Sequence, residues 1–248
     1  MSEKKQPVGV IVNGAFGKMG HLACQMLQEV PEFELLAGLG RTDDLVQAMI
    51  DLNPHIVVDL TRADCVYQNT LSIIEQGICP VIGTSGLTSS EIQTLKDLSE
   101  QKALGGLVVP NFSVAAVLMM RFAAEAAHYL PHVEIIEAHH PEKADAPSGT
   151  ALKTAELIAK ARQTIPHLSQ SQELLPGALG ALYQAVRVHA VRLPGMLAAQ
   201  EVIFGQTGET LTIKHQTIDR ISFMPGLRLA CQKVQALNQL VYGLEHIL

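Results

Sequence analysis

Five short apolar runs, each followed by a stretch with helical spacing, fill the first 110 residues, and this alternation constrains the fold more than any other feature. "VGVIV" (8–12) is apolar throughout, as expected of a strand covered on both faces. Met19, Leu22, Ala23, Met26, Leu27 and Val30 then recur at helical spacing. "FELLAGL" (33–39) predicts a second strand, and Leu45, Met49 and Ile50 mark a short helix over about 43–52. "HIVVDLT" (55–61), "CPVIGT" (79–84) and "GLVVP" (106–110) predict three more strands, with helices over about 64–76 and 88–102. Strands that alternate with helices imply right-handed βαβ units and a parallel sheet.

The pattern changes after Pro110-Asn111. A long, mostly apolar helix is expected over 114–130, a strand over 132–138 and a helix over 149–163. A Pro/Gly/Gln/Ser-rich loop spans 165–180. Three strand-like runs follow, at 183–193, 199–205 and 209–217, several of them alternating apolar with polar residues, which suits an open sheet with one wet face. A helical segment over about 225–247 ends the chain. The expectation is an α/β protein. A Rossmann-like doubly wound domain is expected over 1–110, followed by a smaller α+β domain with an open mixed sheet over 111–219.

Composition narrows the classes. The net charge of −6 comes from interspersed acids and bases, so nothing suggests a basic face for nucleic acid. Cys24, Cys65, Cys79 and Cys231 are scattered without metal-ligand spacing and read as reduced thiols packed as small hydrophobes. The apolar run behind the two N-terminal lysines is too short for a signal peptide, and no run approaches the ~20 residues of a membrane span. A soluble cytoplasmic protein is expected.

Two segments carry chemistry. In "VGVIVNGAFGKMG", Gly14, Gly17 and Gly20 sit between the first strand and the first helix. Glycines there permit a tight turn and let backbone N–H groups approach a pyrophosphate at a helix N-terminus. The G-x-x-G-x-x-G spacing is weak alone; the strand–turn–helix context strengthens it. A second turn, "GTSG" (83–86), follows the fourth strand and is placed near the nicotinamide end of the crevice. The acid that accepts a ribose 2′-hydroxyl in NAD-preferring folds is expected about 20 residues beyond the glycine turn. Counting from Gly20 reaches Gly40, followed by Arg41, which suits a 2′-phosphate. Asp43 and Asp44 argue the other way, although acids also suit the first turn of a helix.

The second segment is "EAHHPEKADAPSGTA" (137–151). Adjacent residues on a strand point to opposite faces, so His139 and His140 are poorly placed to share a metal. His189 and His215 have no favourable spacing, and no metal is expected. Lys143, the imidazoles and the N–H groups of Ser148, Gly149 and Thr150, at the start of a helix, make an anion site. Beside a dinucleotide domain this implies hydride transfer to an unsaturated acid. A small-substrate dehydrogenase acting on aspartate, or a nucleotide sensor without catalysis, are the alternatives.

"VNGAFGKMG", "GTSG", "NFSVA", "EAHHPEKADAPSGTA" and "ETLTIKHQTIDRISFMPG" together resemble the dihydrodipicolinate reductase family, from about residue 8 to 230. The resemblance implies NADPH- or NADH-dependent reduction of a cyclic dicarboxylic imine in the diaminopimelate route to lysine, usually by a homotetramer. It places His139 and Lys143 in catalysis, and His140, Lys143, Ser148, Gly149 and Thr150 at the substrate. Cofactor contacts are expected from Gly14, Ala15, Phe16, Gly17, Lys18, Met19, Gly20, Arg41, Gly83, Thr84, Ser85, Pro110, Asn111 and Phe112. The resemblance also implies that 1–110 binds the dinucleotide and is completed by 220–248, that 111–219 serves substrate binding and oligomerisation, and that Arg220, near the return of the chain, joins the cofactor contacts. The segment 39–55 is shorter than the family's and lacks its acid at the strand end.

Overall fold

The computed structural model describes residues 6–167 and 171–248. The two N-terminal lysines and the centre of the 165–180 loop lie outside the described residues. The chain divides into two compact units, one running through Val114 and resuming at Phe223–Leu248, the other Ala115–Ser222.

In the first unit, β1 (Val8–Asn13), β2 (Phe33–Leu39), β3 (Ile56–Asp59), β4 (Cys79–Ile82) and β5 (Gly106–Val108) alternate with α1 (Lys18–Glu29), α2 (Leu45–Leu52), α3 (Val66–Glu75) and α4 (Ser89–Gln101). The strands form one parallel sheet in which β1 lies between β2 and β3, the doubly wound order expected. Val10, Ile11, Val12, Ile56, Val57, Val58, Val81 and Ile82 are fully shielded from water. Each such side chain stabilises the fold by about 1.5–3 kcal/mol, which is why these runs are apolar at every position.

Three expectations here need correction. The strand predicted over 55–61 stops at Asp59, because the Asp59 carboxylate accepts hydrogen bonds from the Thr61 N–H (3.1 Å) and hydroxyl (2.6 Å) and turns the chain. The helix predicted over 225–247 is α7, Met224–Lys233, followed by a single 3₁₀ turn. The chain then adds a sixth strand, parallel to β5. The apolar spacing of "LNQLVYGLEHIL" imitates a helix, but "LVY" is a β-favouring edge segment. Finally, Arg220 heads a 3₁₀ turn, Arg220–Phe223, and falls in the second unit rather than in a segment completing the first.

In the second unit, α5 (Val114–Ala127) leads to β6 (His132–His139) and α6 (Gly149–Ala161). The run predicted as one strand over 183–193 is a hairpin of β7 (Ala181–Tyr183) and β8 (Val186–Arg192). Gln184 and Ala185 both adopt positive φ, +52° and +55°, as a two-residue turn requires. No glycine or asparagine announces that turn; the Arg162 guanidinium secures it by donating to the Gln184 carbonyl. β9 (Ala198–Gln206) and β10 (Glu209–Thr217) complete a five-stranded sheet ordered β10-β9-β6-β8-β7. It is mixed, because β6 and β8 run parallel while the other pairs are antiparallel. Along β6, Glu134 and Ile136 are exposed, whereas Ile135 and Glu137 are buried. The sheet therefore has one wet face, as its alternation implies. The sixth strand of the first unit, Leu240–Tyr242, is β11.

Candidate active site

The first unit gathers its candidate residues at the carboxyl ends of its strands. Gly14 has φ +87°, and a Cβ there would stand 2.5 Å from the Leu60 carbonyl oxygen. A Cβ on Gly20 would run into the Gly14 carbonyl oxygen, so the turn and the first turn of α1 nest only without side chains. The N–H groups of Gly14 and Ala15 donate to the Leu39 carbonyl at 2.9 Å each, and Ala15 is buried; these two residues supply shape rather than donors. Lys18, Met19 and Gly20 form the first turn of α1, whose N–H groups have no acceptor within the helix and suit a pyrophosphate. Phe16 is 81% exposed, its ring beside Gly40, where a Cβ would stand 2.8 Å away.

A hollow of ≈ 460 Å³ is lined by Met19, Leu60, Thr61, Arg62, Ala63, Gly83, Thr84 and Ser85. It joins the glycine turn, the loop after β3 and the GTSG turn after β4. Beneath it lies Asp59, fully buried. One oxygen accepts from Asn13 Nδ2 (3.1 Å) and Asn69 Nδ2 (2.8 Å), the other from the Thr61 N–H and hydroxyl and from Thr84 Oγ1 (2.7 Å). Asp59 thus fixes two of the hollow's walls. Neither the loop Leu60–Ala63 nor Asp59 is among the site residues expected from the sequence, because the predicted strand runs through Thr61. The rule that ligands meet the carboxyl ends of parallel strands, applied to β3, points to them. The ring of Phe112 packs on Gly83, where a Cβ would stand 2.5 Å away, so that side chain belongs to the core. Asn111 Oδ1 accepts from the Ser113 N–H, and Pro110 is exposed. Arg41 is exposed and Asp43 folds back, accepting from the Gly40 N–H at 2.7 Å. The glycine nest, the open first turn of α1 and the hollow fit a dinucleotide.

The second cluster lies at the end of β6. Glu137 is fully buried. Its Oε2 lies 2.6 Å from His139 Nδ1 and accepts from Arg192 Nη1 (2.9 Å); its Oε1 accepts from Arg192 Nη2 (2.9 Å) and the Ser148 N–H (3.1 Å). Arg192 is brought there by the parallel register of β6 with β8, which pairs His139 with Arg192. Burial alone would raise the Glu137 carboxyl, but hydrogen bonds and charge from Arg192 and His139 outweigh it and hold the group below the ordinary carboxylate range. Burial, the largest cause, together with the charges of Lys143 and Arg192, lowers His139 against the raising effect of Glu137, so its imidazole favours the neutral form. Although the 2.6 Å contact has ion-pair geometry, at neutral pH it is an Nδ1–H donating to a carboxylate, and Nε2 is the nitrogen left to exchange a proton.

Lys143 Nζ donates to Asp145 Oδ1 at 2.6 Å, and this hydrogen bond holds the Asp145 carboxyl below its usual range. His140 lies 2.9 Å from Glu142 Oε2, at the surface, on a different partner from His139. Ser148 caps α6, its hydroxyl accepting from the Ala151 N–H (3.2 Å). Its own N–H is engaged by Glu137, so Ser148 does not add a donor for an incoming anion. Gly149, first residue of α6, has nothing within 4 Å of where a Cβ would stand, and Thr150 follows it. The structure therefore brings His139, Lys143 and the 148–150 turn together and leaves Arg220 on its own 3₁₀ turn. Like Asp59 in the first unit, Glu137 and Arg192 are site residues that the sequence reading does not reach, because the strand register that joins them is not visible in the sequence. Among the described residues no three His, Cys, Asp or Glu side chains cluster as a metal site, and no helix is long and apolar enough to cross a membrane.

A doubly wound sheet with a dinucleotide nest, in one chain with an imidazole–lysine–anion cluster, defines an NAD(P)H-dependent oxidoreductase of Rossmann type. Residues 8–112 match the family described as dihydrodipicolinate reductase, N-terminus, and residues 115–248 its C-terminus. A 4-hydroxy-tetrahydrodipicolinate reductase from Legionella pneumophila is 57% identical over 239 residues, covering 96% of this chain and 98% of that relative. Another, from Streptococcus gordonii, is 47% identical over 97% of this chain and 99% of its own length. A dipicolinate-bound dihydrodipicolinate reductase from Paenisporosarcina sp. TG-14 superposes with a TM-score of 0.89 at 38% identity, over 98% of this chain and all of that one. The chain belongs to the dihydrodipicolinate reductase family.

Proposed function

We propose that the β6–α6 cluster binds 4-hydroxy-tetrahydrodipicolinate and supplies the proton for its reduction to tetrahydrodipicolinate, a step of the diaminopimelate route to lysine. The observation that carries this reading is the pairing of buried Glu137 with half-buried His139 beside the open start of α6. A cyclic dicarboxylate needs two anion sites, and Lys143 with His140 can hold one carboxylate while Gly149 and Thr150 hold the other. Replacing the ring hydroxyl by hydrogen consumes a hydride and a proton and releases water. The bound nicotinamide cofactor, NADPH or NADH, supplies the hydride. His139 Nε2 is the proton-exchanging atom: in water-poor surroundings the imidazole is neutral, and the negative charge of a bound dicarboxylate favours its protonated, donating form. Lys143, a cation beside the same charge, stabilises the substrate and any negative charge that develops on it. The dipicolinate in the related structure is a planar analogue of this substrate class. We extend the reading to the cofactor nest of the first unit, with Gly14–Gly20, Gly83–Ser85 and Pro110–Phe112 against the dinucleotide, and to a homotetramer in the cytoplasm.

His139→Gln and Lys143→Ala should each lower kcat by roughly 10²–10⁴-fold, the usual worth of a positioned acid, with little change in NADPH affinity. Near-normal turnover of both variants would sink the assignment. Sedimentation equilibrium should give four copies of the 26.7 kDa chain; a monomer at assay concentration contradicts the tetramer.

A further inference from the structure

We propose that Glu137 is a positioning residue for the reduction: its Oε2 holds the proton of His139 on Nδ1, so that Nε2 serves the substrate, and its Oε1 ties that imidazole to the anion-binding start of α6. The proposal rests on His139 being the proton donor. Glu137 Oε2 meets His139 Nδ1, while Oε1, on the same rigid carboxylate, accepts the Ser148 N–H one residue before Gly149. A substrate carboxylate seated at Gly149 and a proton leaving Nε2 are therefore held in one frame. An isolated imidazole exchanges freely between its two tautomers, and a carboxylate at Nδ1 selects one.

Arg192 makes this arrangement possible. A lone carboxylate with no exposure would take up a proton rather than stay charged. Arg192 pairs with it through two parallel N–H···O bonds, and its Nη2 also donates to the Asp145 carbonyl at 2.6 Å. With both terminal nitrogens engaged and Nε buried without a partner among the described residues, Arg192 is the counter-ion of Glu137, not a clamp on substrate. The Asp145 carbonyl extends the frame to the loop that carries Lys143, since the Asp145 side chain accepts from Lys143. The charged groups around His139 are thus Glu137 on β6, Arg192 on β8, and Lys143 and Asp145 on the loop. On β9, Ala198 pairs with His139 and Gln200 with Glu137, adding no charge.

The test is a double-mutant cycle of Glu137→Gln and His139→Gln in the full-length protein, read as kcat, NADPH affinity and the pH profile of kcat/KM. Glu137→Gln should lower kcat by roughly 10²-fold. It should also move the alkaline limb down by about 1 pH unit or more, because the anion that favours protonated His139 is gone. NADPH affinity should stay within about twofold. In the His139→Gln background the same change should cost less than about threefold, because a residue acting through His139 has nothing left to position. Equal fold-losses in both backgrounds, or an unmoved limb, would overturn the proposal. If His139→Gln alone turns over like wild type, the proton-donor reading is what fails. Where Glu137→Gln does not fold, Glu137→Asp takes its place: it keeps an anion for Arg192 but withdraws it from Nδ1. Wild-type kcat with an unmoved limb in that variant overturns the proposal equally.

Discussion

Asp59 closes β3 in the first unit, and Glu137 stands two residues before the end of β6 in the second; neither side chain reaches solvent. Their partners differ in kind. Asp59 is satisfied by two asparagine amides, two hydroxyls and one backbone N–H, all neutral. Glu137 is satisfied by a guanidinium, an imidazole and one backbone N–H. Neutral donors fix a shape and carry no mobile proton, which is what a cradle for a cofactor requires. Ionisable donors hold a proton whose position can change, which is what a reduction that consumes a proton requires. On the proposed reading, the same group, buried to the same degree, is scaffold in one place and part of the chemistry in the other.

Exchanging each acid for its amide should separate the two roles, and Glu137→Gln should have the larger effect. It leaves Arg192 without its counter-charge, a loss of about 3–5 kcal/mol in urea unfolding. Asp59→Asn removes a charge that no cation balances and turns one amide against donors, at about 1–3 kcal/mol. The kinetic signatures should also part: Asp59→Asn raises KM for NADPH with kcat nearly unchanged, whereas Glu137→Gln acts on kcat. A fall in kcat from both variants, with KM untouched, would erase the distinction. Within the Asp59 network, Thr84→Val should cost about 0.5–1.5 kcal/mol, the worth of one neutral hydrogen bond.

The contrast also shows why one half of each site was legible and the other was not. The glycine turn and the His139–Thr150 segment are local: their donors lie within a dozen residues, and their spacing alone reports a turn and a helix start. The carboxylates beneath them act at a distance. Arg192 is 55 residues from Glu137, and Thr84 is 25 from Asp59, and only strand register joins them. A solitary acid at the end of an apolar run looks like a solvated terminus until its donors are in place. The strand β11 escaped for a related reason, since its pairing with β5 is set by a partner 134 residues earlier, Gly106 beside Leu240.

Acid should destabilise the two regions unequally. His139 is held below the ordinary histidine value of 6.5 by burial, so above that pH both folded and unfolded chains leave it neutral and its stabilisation is complete. As pH falls through 6.5 the unfolded chain takes the proton first, and stability declines until the folded imidazole is protonated too. Glu137, held below 4.5 chiefly by Arg192 against the opposing effect of burial, stabilises the fold above that value and loses its contribution as pH falls through its lowered folded value. Unfolding midpoints should therefore be level from pH 8 to about 6.5 and then fall in two stages. His215, also lowered by burial, contributes to the first stage, so His139→Gln should flatten that stage in part and His139→Gln/His215→Gln almost wholly. A first stage unchanged in the double variant would mean that His139 is not held neutral in the folded protein.

The smallest expected effect concerns a third carboxylate, this one at the surface. Asp43 turns back to accept the Gly40 N–H at the end of β2, where an acid in NAD-preferring folds would meet the ribose hydroxyls. Like Asp59 it has a neutral donor, but water competes for it. Arg41, exposed and two residues before it, provides the opposing preference by offering a guanidinium to a 2′-phosphate. Exposed charge pairs contribute about 0.2–1 kcal/mol, so neither residue should dominate and the enzyme should use NADPH at least as well as NADH. Arg41→Ala should lower kcat/KM for NADPH by about two- to fivefold more than for NADH, and Asp43→Asn should shift the ratio the other way by a similar factor. In assays with each cofactor across roughly 0.05–0.5 M salt, both shifts should shrink as screening grows. A wild type that clearly prefers NADH, with a ratio unmoved by Arg41→Ala but abolished by Asp43→Asn, would assign the strand end to the acid. The exposed carboxylate would then join Glu137 as one whose charge, and not only its shape, decides what the enzyme does.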